Sequence, residues 1–150
     1  EYTGAIKSAK YLFSDRNLVL LPDTKIELPS NLILFDEIHE MLKRNNCAFL
    51  FKKETCKKIL KTKGSLMVNH QGKIKAYEDK PTKNFLKFNG YWCGFAFKKK
   101  IFEGLISFME KSTLKSKKIT PSIDQSPMYN SPVIEVKDFK DYGTWDSINK

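Results

Sequence analysis

Apolar residues recur along this chain with two periods, and the change from one to the other marks out the elements. Ala5, Ile6, Ala9, Leu12 and Phe13 fall at helical spacing and predict a helix over 3–13, with Thr3-Gly4 near its start. Leu18 to Leu21 then form an unbroken aliphatic run ending at Pro22, Asp23 and Thr24. Such a run reads as a strand with both faces covered, and the proline after it ends the ladder. Leu34, Phe35, Ile38, Met41 and Leu42 make one face of a helix of about fourteen residues, with Asn31 as its N-cap and Asn45-Asn46 at its end. Cys47 to Phe51 is a second unbroken strand, so strand, helix and strand follow at the lengths of a right-handed βαβ unit.

The character then changes. After a short basic helix or turn over 57–62, Ser65 to Val68, Asn69 to Gly72 and Lys73 to Tyr77 read as a β-hairpin in which Gly72 supplies a positive φ. Asn89 to Phe97 is the densest aromatic stretch and reads as a central core strand, with Gly90 and Gly94 leaving room for a close backbone or ligand. A helix from Ile101 to Met109 follows, then a mobile connection over 115–129 with Pro121 and Pro127, the strand Val133 to Val136, and a turn and helix start between Asp138 and Lys150. These elements predict one α/β domain over 1–150, with a mixed, mostly parallel sheet flanked by helices and a small β-hairpin insertion.

Composition changes this picture little. The formal charge of +10 suits phosphate-bearing partners. Only Arg16 and Arg44 among the 27 basic residues are arginine, however, which argues against nucleic-acid recognition through guanidinium forks. Cys47, Cys56 and Cys93 are too few and too widely spaced for a disulfide framework or a CxxC zinc site, and read as core residues. His39, beside acidic neighbours, reads as a surface residue. The longest apolar runs fall far short of the roughly 20 residues that span a bilayer, so the expectation is a soluble, cytoplasmic protein.

The candidate chemistry lies at strand ends. Ligands of open α/β sheets bind beyond the carboxyl ends of the strands, where Asp23 can meet a metal or a hydroxyl, although Pro-Asp also opens turns. Asp141 is a second acidic strand end, far down the chain. If the two share an ion, folding must bring them within a few ångströms.

Three motifs now stand in one order: Leu21-Pro-Asp-Thr24, then Gly72-Lys-Ile with Glu78-Asp-Lys-Pro81, then Asp141-Tyr-Gly-Thr-Trp145. Together they resemble the sugar-1-phosphate nucleotidyltransferases, the family of glucose-1-phosphate thymidylyltransferase, over nearly the whole chain. The resemblance implies a Rossmann-like nucleotide-diphospho-sugar transferase fold. It also implies that Asp23 and Asp141 hold a catalytic Mg²⁺ and that Lys80 binds the sugar phosphate. Glu78 or Asp79 would orient that phosphate or meet a sugar hydroxyl. Gly4, within a small-residue turn near the base, Thr24, Gly64, Gly94 and Gly143 would line the substrates, with Gly90 an alternative beside the sugar ring. The reaction implied is attack of a sugar-1-phosphate oxygen on the α-phosphorus of a nucleoside triphosphate, giving a nucleotide-sugar and pyrophosphate.

Two departures qualify that reading. Nothing in the chain matches the family's opening Gly-rich loop with its Arg and following Lys, and the match starts about a third of the way into the family's core, so the chain reads as the carboxyl-terminal part of a longer protein. The expectation is a partial domain, poorly active alone and prone to self-associate through an incomplete sheet. Lys117-Lys-Ile-Thr120 has Lys where many members carry a Glu toward the sugar. Two other readings remain open: a non-catalytic ligand- or subunit-binding module of the same fold, and a basic nucleic-acid-binding domain.

Overall fold

The strand that neighbours on both sides depend on is β6 (Gly90–Lys98), buried from Gly90 through Phe97 in a computed structural model that describes residues 2–83, 85–113 and 122–143. One edge of β6 pairs antiparallel with β3 (Cys47–Lys53), in a register running from Cys47 opposite Phe97 to Lys53 opposite Gly90. Its other edge is shared. β1 (Arg16–Leu20) lies along Gly94 to Lys98, and β4 (Gly64–Val68) takes over at Gly90 and Tyr91. β4 continues as an antiparallel hairpin into β5 (Ile74–Asp79), and β7 (Val133–Glu135) runs parallel to β3. β1, β3, β4 and β7 therefore point one way and β5 and β6 the other. The sheet is mixed as the sequence predicts, but because β6 sits among the parallel set, every pairing except β3 with β7 is antiparallel. A separate antiparallel ribbon joins β2 (Thr24–Glu27) to β8 (Asp138–Asp141).

Helices cover both faces, which is why the strand sequences are unbroken apolar runs rather than alternations. Residues of odd number along β3, Phe49 and Phe51, join Trp92, Phe95 and Phe97 beneath α4 (Phe102–Thr113), with Ile6 of α1 (Tyr2–Ser8) at the same layer. Leu50, Tyr91, Cys93 and Ala96 face the other way, against Ile38 and Leu42 of α2 (Leu34–Arg44) and Leu60 of α3 (Lys57–Leu60). Aromatic contacts lock the first layer, Phe95 lying edge-on to Trp92 at 5.8 Å and stacked on Phe49 at 5.6 Å. Gly90 is required by packing, since a Cβ there would stand 2.3 Å from both the Phe51 ring and the Lys52 carbonyl oxygen. The hairpin turn is as the sequence implies, with Gly72 at φ +70°.

Four local expectations are corrected. The first helix stops at Ser8 and a single 3₁₀ turn over Lys10–Leu12 replaces its second half, leaving Tyr11 and Leu12 in solvent while Ile6 and Phe13 reach the core. β1 is only partly covered: Val19 packs toward the α4 layer and Leu18 toward the α2 layer, Leu20 is exposed, and no described strand pairs with its outer edge. Asn31 does not cap α2, which begins at Leu34 behind an extended Ile33 with no capping side chain. Asp36 and Glu37 in its first turn and Lys43 and Arg44 in its last serve the helix dipole instead. Finally, Cys56 is exposed, whereas Cys47 and Cys93 are core residues as expected. Of the connection predicted as mobile, 115–121 lies outside the described residues, and the later part is a packed turn with Met128 fully buried. The helix start predicted after Asp141 falls in 144–150, also outside them.

Candidate functional site

The β2–β8 ribbon places the two strand-end carboxylates together. Its register sets Thr24 opposite Asp141, and the Tyr142 N–H donates to the Asp23 carbonyl at 2.8 Å, extending the pairing one step past the strand ends. The Thr24 hydroxyl donates to the Leu21 carbonyl at 2.8 Å and closes the Pro22-Asp23 turn. Gly143 lies between the carboxylates: a Cβ there would stand 2.4 Å from Asp23 Oδ2 and 3.2 Å from Asp141 Oδ1. Asp23 and Asp141 thus converge on one small volume, although more than a hundred residues of chain separate them, and only a glycine leaves it open.

A second pair of ends, from the β4–β5 hairpin, approaches Asp141 from its other side. Gly64 pairs with Asp79, and one step beyond them the Lys80 N–H donates to the Lys63 carbonyl at 3.0 Å. Lys80 takes φ +48°, which turns the chain sharply away from the strand. Lys63 Nζ reaches Asp141 Oδ2 at 2.5 Å and lies 5.5 Å from the centre of the Phe139 ring. The Lys63 ammonium, helped by the Gly143 N–H on Oδ1, holds the Asp141 carboxyl below the usual carboxylate range against the opposing effect of burial. Between the ribbon and the hairpin lies a cleft of about 300 Å³, with Lys63, Asp79, Lys80 and Asp141 on its polar side and Trp92, Leu21 and Phe139 on its apolar side. Gly64 borders it because the Trp92 indole occupies the space of a side chain, Nε1 lying 2.0 Å from where a Cβ would be.

The sequence candidates divide cleanly. Asp141, Lys80 and Gly64 line the cleft, and Asp23, Thr24 and Gly143 adjoin Asp141 outside its lining. Glu78 does not line the cleft: it pairs with Lys87 at 3.4 Å, while its neighbour Asp79 faces the space. Gly94 lies in mid-sheet, where a Cβ would meet Leu20, Leu50 and the Val19 carbonyl, so it serves strand packing rather than a ligand. Gly4 sits exposed within α1, not in a turn, and the cleft does not reach it. His39 is exposed and meets Arg16 at 2.8 Å. Lys63, Trp92 and Phe139 are the residues that sequence reasoning missed. Lys63 stands in a lysine-rich chain with nothing to single it out, and its one signal is its place directly before Gly64.

The donor set of the acidic pair suits a hard divalent cation, which takes few protein oxygens and completes its shell with phosphate and water. Among the described residues no group of three or more His, Cys, Asp or Glu side chains comes together. No described helix is long and apolar enough to cross a membrane.

Neither protein-family models nor curated proteins match the chain. Solved structures do. A Bacillus anthracis protein assigned as a glucose-1-phosphate thymidylyltransferase, in complex with sucrose, superposes on 98% of this chain and 57% of its own at a TM-score of 0.61 and 15% identity. A UTP-bound UGPase from Acinetobacter baumannii matches 98% of this chain and 53% of its own, at 0.67 and 14%. A UDP-glucose pyrophosphorylase from the same organism matches 95% and 51%, at 0.63 and 14%. At these identities the likeness is one of fold: the chain has a nucleotidyltransferase-like, Rossmann-like α/β fold and spans about half the length of these structures.

Proposed function

We propose that this chain carries the sugar-phosphate side of a nucleotidyltransferase site, and that the protein to which it belongs makes a nucleotide-sugar and pyrophosphate from a nucleoside triphosphate and a sugar 1-phosphate. The observation that carries this reading is the meeting of Asp23 and Asp141 at Gly143, beside a cleft with two lysines on one side and an indole on the other. The neighbours of like fold include one with UTP and one with a sugar bound, which supports ligands of that class.

In this reading Asp23 and Asp141 hold Mg²⁺, which when bound supplies charge neutralisation to the phosphates. Lys80 meets the phosphate of the sugar 1-phosphate as a point charge. Trp92 offers a flat apolar wall to the sugar ring, and Asp79 accepts from its hydroxyls. The reacting phosphate oxygen attacks the α-phosphorus, the bond to the β-phosphate bridging oxygen breaks, and pyrophosphate leaves with that electron pair. Lys80, Asp79 and Trp92 contribute by fixing the acceptor in line rather than by covalent chemistry. Held alone, the chain is expected to bind an acceptor but to turn over poorly.

Calorimetric titration of glucose 1-phosphate with Mg²⁺ into the purified chain tests this, with Asp141→Asn and Lys80→Ala alongside. Saturable Mg²⁺-dependent binding that both substitutions weaken about tenfold or more supports the reading. Binding indifferent to Mg²⁺ and to both substitutions removes it.

A further inference from the structure

The cleft holds a cation of its own. Lys63 leaves the chain between α3 and β4, with its N–H on the Leu60 carbonyl at 3.3 Å and its own carbonyl taken by the Lys80 N–H. Its backbone is therefore fixed at both ends, while its side chain stretches along Phe139 to Asp141 Oδ2 at 2.5 Å. Asp141 Oδ1 accepts the Gly143 N–H at 3.0 Å. One oxygen of Asp141 thus takes the backbone N–H on the side it shares with Asp23, and the other carries the ammonium of Lys63. A metal held jointly by Asp23 and Asp141 needs the negative charge of a carboxylate that Lys63 now neutralises.

We propose that Lys63 is a built-in counter-ion that competes with a divalent cation for Asp141 and yields when a phosphate-bearing ligand enters the cleft, so that anion and metal bind cooperatively. This rests on the reading of the site given above and adds an order to it. Ammonium and divalent cation repel one another and seek the same carboxylate, so the free site disfavours the metal. A phosphate beside Lys80 gives Lys63 a second anion within the same cleft, and a four-carbon stem lets the head turn toward it while the backbone stays paired. The coupling is reciprocal: whatever factor the phosphate adds to metal affinity, the metal adds to phosphate affinity. The site would then avoid holding a cation when no substrate is present.

Mn²⁺ is the probe, its free concentration followed by electron paramagnetic resonance as the chain is titrated with and without glucose 1-phosphate. In the unaltered chain glucose 1-phosphate is expected to tighten Mn²⁺ binding roughly five- to tenfold. Lys63→Met, which keeps an apolar stem over Phe139, is expected to bind Mn²⁺ alone more tightly by about the same factor and to gain little from glucose 1-phosphate. Lys63→Arg keeps the charge and is expected to keep the coupling. Circular dichroism establishes that each variant folds, and Lys63→Gln serves as a second removal of the charge should the Met variant not. Mn²⁺ affinity that is unchanged or weakened in a folded Lys63→Met or Lys63→Gln chain overturns the competition. Should no form bind Mn²⁺ with or without glucose 1-phosphate, the two-carboxylate reading falls with it, which separates that failure from the first.

Discussion

β6 and the β2–β8 ribbon are built on opposite terms. Every residue of β6 from Gly90 to Phe97 is buried, and the strand touches β1, β3 and β4 at once. The ribbon has no fully buried residue, its strands pair only with each other, and it ends at Asp141 with Asp23 directly before its first strand. The sheet centre holds the large buried side chains, and the ribbon borders the candidate site. The two meet where Tyr91 of β6 packs its ring edge-on to Phe139 of β8 at 5.7 Å, and where Trp92 of β6 forms a wall of the cleft. Separation of this kind lets a site keep charged, half-exposed groups that a core would not tolerate.

The largest effect that would sharpen the contrast comes from β6. Phe95→Ala removes a fully buried ring that stacks on Phe49 and also touches Trp92 and Phe97, and is expected to cost about 3–5 kcal/mol, read as a lowered denaturation midpoint. A loss below about 1 kcal/mol would show that the sheet centre is not the stabilising region. Gly143→Ala should do the reverse. Its Cβ must push the Asp23 carboxylate out of the shared volume, so Mg²⁺-dependent binding is expected to fall severely while stability moves by no more than about 0.5 kcal/mol. Equal losses of both would break the division between the two regions.

The smallest effect is electrostatic. Because Lys63 lowers the Asp141 pKa in the folded state below its unfolded value, the unfolded chain takes up a proton first as pH falls. The stabilisation is therefore fully present above the ordinary carboxylate range and is lost as pH drops through the depressed folded pKa. Both side chains are partly exposed, at 25% and 39%, so solvent screening limits the contribution to at most about 1 kcal/mol. Denaturation of the unaltered chain and of Lys63→Met from neutral to strongly acidic pH should show a small gap that closes at the acid end. A gap that widens there would reverse the sign.

Much of β6, β3, the hairpin and α4 could be read along the chain, because each buries residues at the period of its own backbone. The same logic misjudged β1. Its aliphatic run is real and both faces touch core residues, yet with β6 on one edge and no described strand on the other it stays half-covered. Hydrophobic period reports what a strand can bury, not how many neighbours arrive to cover it. Likewise the first helix has the right spacing up to Phe13, but its packing ends at Ile6 and the chain breaks into a 3₁₀ turn.

For the site, the residue types and their order were in the sequence: Asp23 after a strand, Lys80 after a hairpin and Asp141 after a late strand. What the tertiary structure alone decided was their company. Strand pairing placed Asp141 opposite Thr24, Asp79 opposite Gly64 and Lys80 beside Lys63, and so removed Glu78, Gly94 and Gly4 from the cleft while admitting Lys63 and Trp92. The physical reason is range. Periodicity and turn chemistry act over a few residues and are written locally, whereas a carboxylate 2.5 Å from an ammonium 78 positions away exists only once two ladders have closed in register.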